Sequence, residues 1–445
     1  MKHLFILLAI TISSSVSSKG WTDLFNGKNF KGFTQLNGQA PFTVENGEMV
    51  GTSTTGQPNS FMATDKLYGD FILEFDVKCN PDLNSGVQFR SLSVPEYNKG
   101  RVHGYQCEID PSDRAWSGGI YDEARRGWLV TLTDNKAGQK AYKRDDWNHY
   151  RIEALGEIIR IWVNGVNTSN LLDNETLNGF IAFQVHSSGE ANKGKQIRWK
   201  NIRIKTKISA NDLLKGDLAP EINRVPNTIS GVEQAAGWRF LFDGKSTAGW
   251  RSSRKETFPD KGWTVADGAL TVNADGTAQH GGDIITEEKF DAFELSFEFK
   301  ITKGANSGLK YFVVNGFGPE YQILDDANHG DANQFTSIEG SRRCGGLYDL
   351  IKPTNVRFNG IGQWNHGVIK AFPNNHIEHW LNGFKTVEYE RGSEAFRELV
   401  KNSKFVGKEY NVSVPYGEIP EGNILLQDHN DNVSFRNIKI RKLSR

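Results

Sequence analysis

Phe293-Glu-Leu-Ser-Phe-Glu-Phe299 sets an apolar side chain at every second position with a polar or small one between. Alternation of period two places successive side chains on opposite faces of a strand. Phe293, Leu295, Phe297 and Phe299 therefore predict the covered face of a half-buried sheet. Phe71-Ile-Leu-Glu-Phe-Asp-Val77 shows the same alternation far upstream, and other landmarks recur around both in one order. Gly20-Trp-Thr-Asp-Leu-Phe-Asn-Gly-Lys28 returns as Gly237-Trp-Arg-Phe-Leu-Phe-Asp-Gly-Lys245, and Asn84-Ser-Gly86 as Asn306-Ser-Gly308. Gly118-Gly-Ile-Tyr-Asp122 returns as Gly345-Gly-Leu-Tyr-Asp349, Trp147-Asn-His149 as Trp364-Asn-His366, and Asn201-Ile-Arg-Ile204 as Asn437-Ile-Lys-Ile440. Two long copies in register are homologous tandem domains; a solenoid needs more and shorter repeats.

Strand-like runs closed by Asn-Gly turns, such as Ile158 to Val163 before Asn164-Gly165 and His376 to Leu381 before Asn382-Gly383, predict antiparallel hairpins. Each copy is then an all-β sandwich of two packed antiparallel sheets. The expected boundaries are a first domain over 19–205, a linker over 206–229 containing Pro220 and Pro226, and a second domain over 230–445. Ser230 with Glu233 forms a capping box for a short helix ended by Gly237, and Ser393 opens a helix to about Asn402.

Lys plus Arg is 53 and Asp plus Glu is 53, so no global field attracts a polyanion and nucleic acid is not an expected partner. Three cysteines, Cys79, Cys107 and Cys344, cannot staple a chain of 445 residues and read as small core hydrophobes. Lys2 and His3 precede an apolar run from Leu4 to Ile12 and a Ser-rich stretch, which predicts a secretory signal over 1–18. The run is too short to span a bilayer and no Cys follows it. The expected location is therefore periplasmic or secreted, with no membrane partner after cleavage.

Polar residues at i and i+2 inside otherwise apolar strands mark the face that meets a ligand. In the first copy these are Gln88 with Arg90, Gln106 with Glu108, and Gln184 with His186; in the second, Lys310, Glu320 with Gln322, and Gln427 with His429. A solvated outer face would give the same pattern, but the recurrence of Gln-x-His and Asn-Ser-Gly at matching places favours a site. Arg125, Arg126 and Arg343 are planar cations suited to clamping carbonyl or hydroxyl oxygens. Trp116, Tyr121 and Trp128 flank the Gly118-Gly119 turn as stacking surfaces or core rim. The Asp325 to Asp331 loop lacks EF-hand spacing and reads as an Asx-rich turn ahead of a metal site.

Both halves resemble the 3-keto-disaccharide hydrolase family, most plainly the second. It carries Gly237-Trp-x-x-Leu-Phe-Asp-Gly-Lys245, Asn306-Ser-Gly308, Glu320-Tyr-Gln-Ile-Leu-Asp325, Gly346-Leu-Tyr348, Trp380-Leu-Asn-Gly383 and Gln427-Asp-His429. The first copy departs from the pattern with Gln106-Cys-Glu108 where the family has Glu-x-Gln. The resemblance implies concanavalin-like, jelly-roll sandwiches and cleavage of glycosides whose sugar carries a ketone at C3. It also implies a small carbohydrate substrate, with Glu320 or His429 as base, and Glu108 and His186 as first-domain counterparts. Lys310 or a divalent metal ion would polarise the ketone; no other cofactor is expected. Asn306, Gln322, Tyr348, Arg343 and Gln427, with Gln88, Arg90, Gln106, Gln184, Tyr121, Arg125, Arg126 and Trp116, would hold the sugar. Two rivals compete with this reading. One is a laminarinase-like hydrolase, since Glu108-Ile-Asp110 with Asp113 half-mimics a catalytic carboxylate strand; the other is a lectin-type carbohydrate-binding module.

Overall fold

Phe71, Leu73, Phe75 and Val77 lie fully inside the first domain. On the opposite face of the same strand, Glu74 pairs with Arg151 at 2.7 Å and Arg203 at 2.5 Å. The second domain repeats the arrangement. Phe293, Leu295, Phe297 and Phe299 are buried, while Glu294 and Glu298 pair outward with Arg441 and Arg436. A computed structural model describes residues 20–273, 281–407 and 414–444. The predicted signal over 1–18 lies outside the described residues, and no helix among those described is long and apolar enough to cross a membrane.

Each domain is a concanavalin-like β-sandwich of two antiparallel sheets. In the first, Phe71–Cys79 sits between Asn148–Leu155 and Gln196–Lys205 in the larger sheet. The facing sheet runs Gly127–Val130, Ile120–Glu123, His103–Ile109, Ser85–Leu92, Phe180–Val185, Ser60–Thr64 and Phe33–Asn37. In the second, Phe293–Ile301 lies between Val433–Lys442 and Asn365–Ala371. Its facing sheet runs Trp250–Ser252, Ile284–Thr286, Asn423–Leu426, Asn306–Val313 and Glu320–Leu324.

Rings fill the space between the sheets. Phe75 stacks on Tyr150 with centroids 5.2 Å apart, and Phe183 meets Trp199 edge-on at 5.6 Å. At about 25 cal/mol per Å² of apolar surface removed from water, such buried rings dominate the stabilisation. All three cysteines are free and buried. Asn164-Gly165 and Asn382-Gly383 have φ of 49° and 83°, and 49° and 84°, the left-handed pair that a type I′ hairpin turn needs.

Residues 206–229 are tied to both sandwiches. Ile222–Asn223 adds a short parallel strand to Val166–Leu172 of the first domain. Asn227 donates to the Gly268 carbonyl at 2.8 Å and accepts from the Asn437 amide at 2.8 Å in the second. The capping box of Ser230 and Glu233 opens the helix Gly231–Ala235, and Ser393 caps Glu394–Lys401, whose Phe396 is buried.

Candidate active site

The floor of each cavity is a ladder between two strands of the facing sheet, and the two ladders share one register. Gly308 stands opposite Gln322 and Lys310 opposite Glu320; in the first domain Gly86 stands opposite Glu108 and Gln88 opposite Gln106. Asn-Ser-Gly precedes both, and its serine performs the same task twice. Ser307 donates to the Gln427 carbonyl at 2.8 Å and Ser85 to the Gln184 carbonyl at 2.7 Å, fixing the third strand of each floor. The glycine leaves room for a side chain of the neighbouring strand. A Cβ on Gly308 would lie 2.4 Å from Glu320 Oε1, and one on Gly86 would lie 2.4 Å from the Gln106 side chain.

In the second domain a cavity of about 200 Å³ is lined by Asn306, Lys310, Glu320, Gln322, Gln427 and His429. Five of these, Lys310, Glu320, Gln322, Gln427 and His429, are the residues expected on this face, and Asn306 and Tyr348, expected to hold the sugar, line the cavity with them. Lys310 Nζ is 3.8 Å from Glu320 Oε2. The Gln427 amide joins the group. Oriented to satisfy its neighbours, its nitrogen donates to Glu320 Oε1 at 3.1 Å and lies 2.9 Å from His429 Nε2, while its oxygen accepts from Lys310 Nζ at 3.3 Å. Gln322 donates to Asn306 Oδ1 at 3.2 Å and keeps a buried, unpartnered Oε1.

Burial raises the pKa of Glu320 above the usual carboxylate range, against the opposing pull of Lys310 and Lys404. Burial also lowers the pKa of His429, which is therefore a neutral imidazole near pH 7. The bowl thus combines a basic carboxylate, a neutral imidazole and an ammonium within reach of one ligand. Glu320 and His429, beside an ammonium, are one side chain short of the three protein ligands of a catalytic zinc site. Among the described residues the one cluster of that type is His376, Glu378 and Glu388, away from the cavity and occupied by Lys385 at Glu378 and Glu388. The Asp325 to Asp331 loop is the expected Asx turn. Asp325 accepts from the Ala327 amide at 3.2 Å, and also from the Gly304 amide at 2.7 Å and the Asn328 side chain at 2.8 Å.

The first domain transposes this chemistry. Gln106 occupies the Glu320 position and Gln88 the Lys310 position. Gln88 donates to Gln106 Oε1 at 2.6 Å and Gln184 donates to the same oxygen at 2.9 Å. The carboxylate sits one ladder step along, at Glu108, and accepts from Asn84 at 2.7 Å and Gln106 at 3.0 Å. Its cation comes from outside the floor, as Arg114 Nη2 at 3.4 Å. Burial raises the Glu108 pKa to about 7. The cavity is wider, about 780 Å³, and Gln106, Glu108, Tyr121 and His186 line it with Arg101, Arg114 and Arg144.

A family model described as the 3-keto-alpha-glucoside-1,2-lyase-like domain matches residues 20–205 and again residues 237–441. The chain belongs to this family, as a tandem pair. A Bacteroides thetaiotaomicron protein named 3-keto-disaccharide hydrolase is 33% identical over 234 residues, 47% of this chain and 79% of that protein. Among solved structures, a proposed glycosyl hydrolase from Parabacteroides distasonis is 29% identical, with a TM-score of 0.42, covering 49% of this chain and 100% of its own. The carbohydrate binding module CBM66 from Bacillus subtilis is 16% identical, with a TM-score of 0.27, covering 39% of this chain and 95% of its own.

Gln88 and Gln184, fully buried, support Gln106 without lining the first cavity, and five other expected site residues lie elsewhere. Arg90 does not share the face of Gln88, because its φ of +46° and a register shift between Phe89 and Leu92 break the alternation. Its buried guanidinium donates to the Gly69 and Gly156 carbonyls at 2.8 and 2.7 Å and pairs with Asp70 at 3.1 Å. Arg125 and Arg126 are held by Asp122, and Arg126 also by Asp173 at 2.8 Å, away from the cavity. Arg343 does not line the second cavity; Arg342 beside it pairs with Asp331 at 2.9 Å and Asp349 at 2.7 Å. Trp116 is buried at the domain seam, against Trp128 and Phe384.

Several cavity residues escaped the sequence reading. Lys404, with Nζ 4.0 Å from the Tyr348 ring centroid, and Phe405 follow a helix end and carry no periodic signal. Arg114 sits in a loop with no second-copy landmark. Asn84 was recoverable from the duplication, as the counterpart of Asn306.

Proposed function

We propose that the chain cleaves glycosides whose sugar is oxidised to a ketone at C3, and that the second-domain cavity performs the reaction. The carrying observation is the convergence of Glu320, Lys310, Gln427 and His429 on one buried pocket, with Glu320 made more basic by burial. A C3 ketone acidifies the hydrogen on C2. Glu320 takes that proton and the C2–H electron pair becomes the enolate, whose oxygen the Lys310 ammonium stabilises. As the carbonyl re-forms, the pair moves between C1 and C2 and the C1 oxygen leaves, taking the proton back from Glu320. Water adds to the resulting enone by the reverse transfers. His429, neutral at the working pH, accepts a hydrogen bond from a sugar hydroxyl, and Gln427 holds the three groups in place. One carboxylate suffices, whereas ordinary retaining hydrolysis needs two about 5 Å apart. The apolar run near the start of the chain supports export, with the reaction in the periplasm or outside the cell.

The test is release of an aglycone from a 3-keto glucoside and from its unoxidised parent. Glu320→Gln, His429→Ala, Lys310→Met and Glu108→Gln are compared with wild type. Removing the base costs at least about 10²-fold in kcat. Because folding raises the Glu320 pKa, the acid limb of the wild-type kcat/KM profile lies above the ordinary glutamate range. Full activity in the second-domain variants together with a dead Glu108→Gln would move the reaction to the first domain. Binding without any ketone-dependent turnover would make the chain a carbohydrate-binding module.

A further inference from the structure

The first-domain cavity does not end at its own sandwich. Arg114, Tyr121 and Trp128 line it and also line a second hollow of about 380 Å³, whose far wall is Phe358, Asn359 and Phe384 of the second domain. The two hollows adjoin along these three side chains, one beside Glu108 and the other across the domain seam. Arg114 is the partition between them. Its guanidinium lies 4.7 Å from the Trp116 ring centroid and 4.9 Å from that of Trp128, and reaches Glu108 and Asp110 on the other side. Trp116 meets Phe384 at 5.8 Å between centroids, which fixes the two walls relative to each other. Tyr121, Trp128, Phe358 and Phe384 are all half-buried and line the seam hollow.

We propose that this seam is a sugar-binding shelf, and that the first domain takes an oligosaccharide whose end ring enters at Glu108 while the following rings lie across the shelf. The inference rests on the carbohydrate reading above and adds the size of the ligand. Aromatic faces bind the C–H faces of pyranose rings, and the rim supplies the polar groups that hydroxyls need: Arg357, exposed with its guanidinium 5.5 Å from the Phe384 centroid, and Asn359. That mixture suits a sugar better than a purely aromatic aglycone. The second cavity, at about 200 Å³, falls below the roughly 300–1,000 Å³ of pockets for larger ligands and suits a single ring. Neither domain alone carries both walls of the shelf, so the tandem arrangement creates a site absent from either copy.

The experiment is calorimetric titration of the full chain with gluco-oligosaccharides of one to four units in α-1,4, β-1,4 and β-1,3 linkage, and with p-nitrophenyl glucoside. In at least one series the tetrasaccharide binds about tenfold tighter than glucose, equivalent to about 1.4 kcal/mol. Phe384→Ala removes that gain and leaves glucose affinity unchanged. Arg357→Ala, at an exposed position with little bearing on folding, weakens the gain about threefold. The proposal falls if no series gains with length, if both variants keep the gain, or if only the aryl glucoside gains. Binding of unoxidised glucans is independent of ketone turnover. Turnover with no length dependence would sink the shelf alone, and length-dependent binding lost in Phe384→Ala without turnover would sink the catalytic reading alone.

Discussion

Glu108→Gln isolates the electrostatic strain held in the first-domain cavity. The wild-type carboxyl is buried, and its pKa rises from 4.5 to about 7 on folding. The folded chain therefore keeps a proton that the unfolded chain has already lost. Wild-type stability falls as pH climbs from about 4.5 to about 7 and levels off above that. At 1.36 kcal/mol per pKa unit, the penalty is about 1 kcal/mol at pH 5 and about 3 kcal/mol at pH 8. Glutamine has the shape of the acid, keeps an oxygen for Asn84, and never ionises. Glu108→Gln is thus expected to gain about 2 kcal/mol on wild type between pH 5 and pH 8 in the first-domain transition. The Arg114 pairing forms only as Glu108 ionises, and it is already contained in the folded pKa of about 7. Urea unfolding at several pH values, with the first-domain transition identified by its movement in the variant, reads this directly. A wild-type-to-variant difference that stays level from pH 5 to pH 8 refutes the argument, because the carboxyl would then titrate alike in both states.

Gly308→Ala places a Cβ 2.4 Å from Glu320 Oε1 and forces that carboxylate off its ladder position. The expected result is loss of most ketone-dependent turnover with the first-domain transition unchanged, checked by kinetics and urea unfolding on one preparation. Asn227→Gly keeps a residue suited to the φ of +54° but deletes both hydrogen bonds to the second domain. It should lower the second-domain transition by about 2 kcal/mol, from two bonds of 0.5–1.5 kcal/mol each.

The alternation in Phe71 to Val77 and Phe293 to Phe299 is a local property of consecutive residues, so it announced the strands, their buried faces and the all-β class without any tertiary information. The ordered recurrence of landmarks added the duplication, and parity placed Glu320 and Gln322 on one face of a regular strand, whereas Gln427 and His429 lie just past the end of Asn423–Leu426 and are held at the cavity by the Gln427 amide on the Gly308 carbonyl. Parity failed at Arg90, where a left-handed residue turns the strand over; nothing in the one-dimensional pattern marks a bulge. The sequence also displayed the exchange of Glu-x-Gln for Gln-Cys-Glu. Only the fold could supply the consequence, since Arg114, Lys404 and Phe405 reach the two cavities from loops with no period to read. The shelf at the seam lies furthest from the sequence. Trp128 and Phe384 belong to different sandwiches, and what brings their rings to one hollow is the docking of two complete domains, a contact that no local pattern encodes.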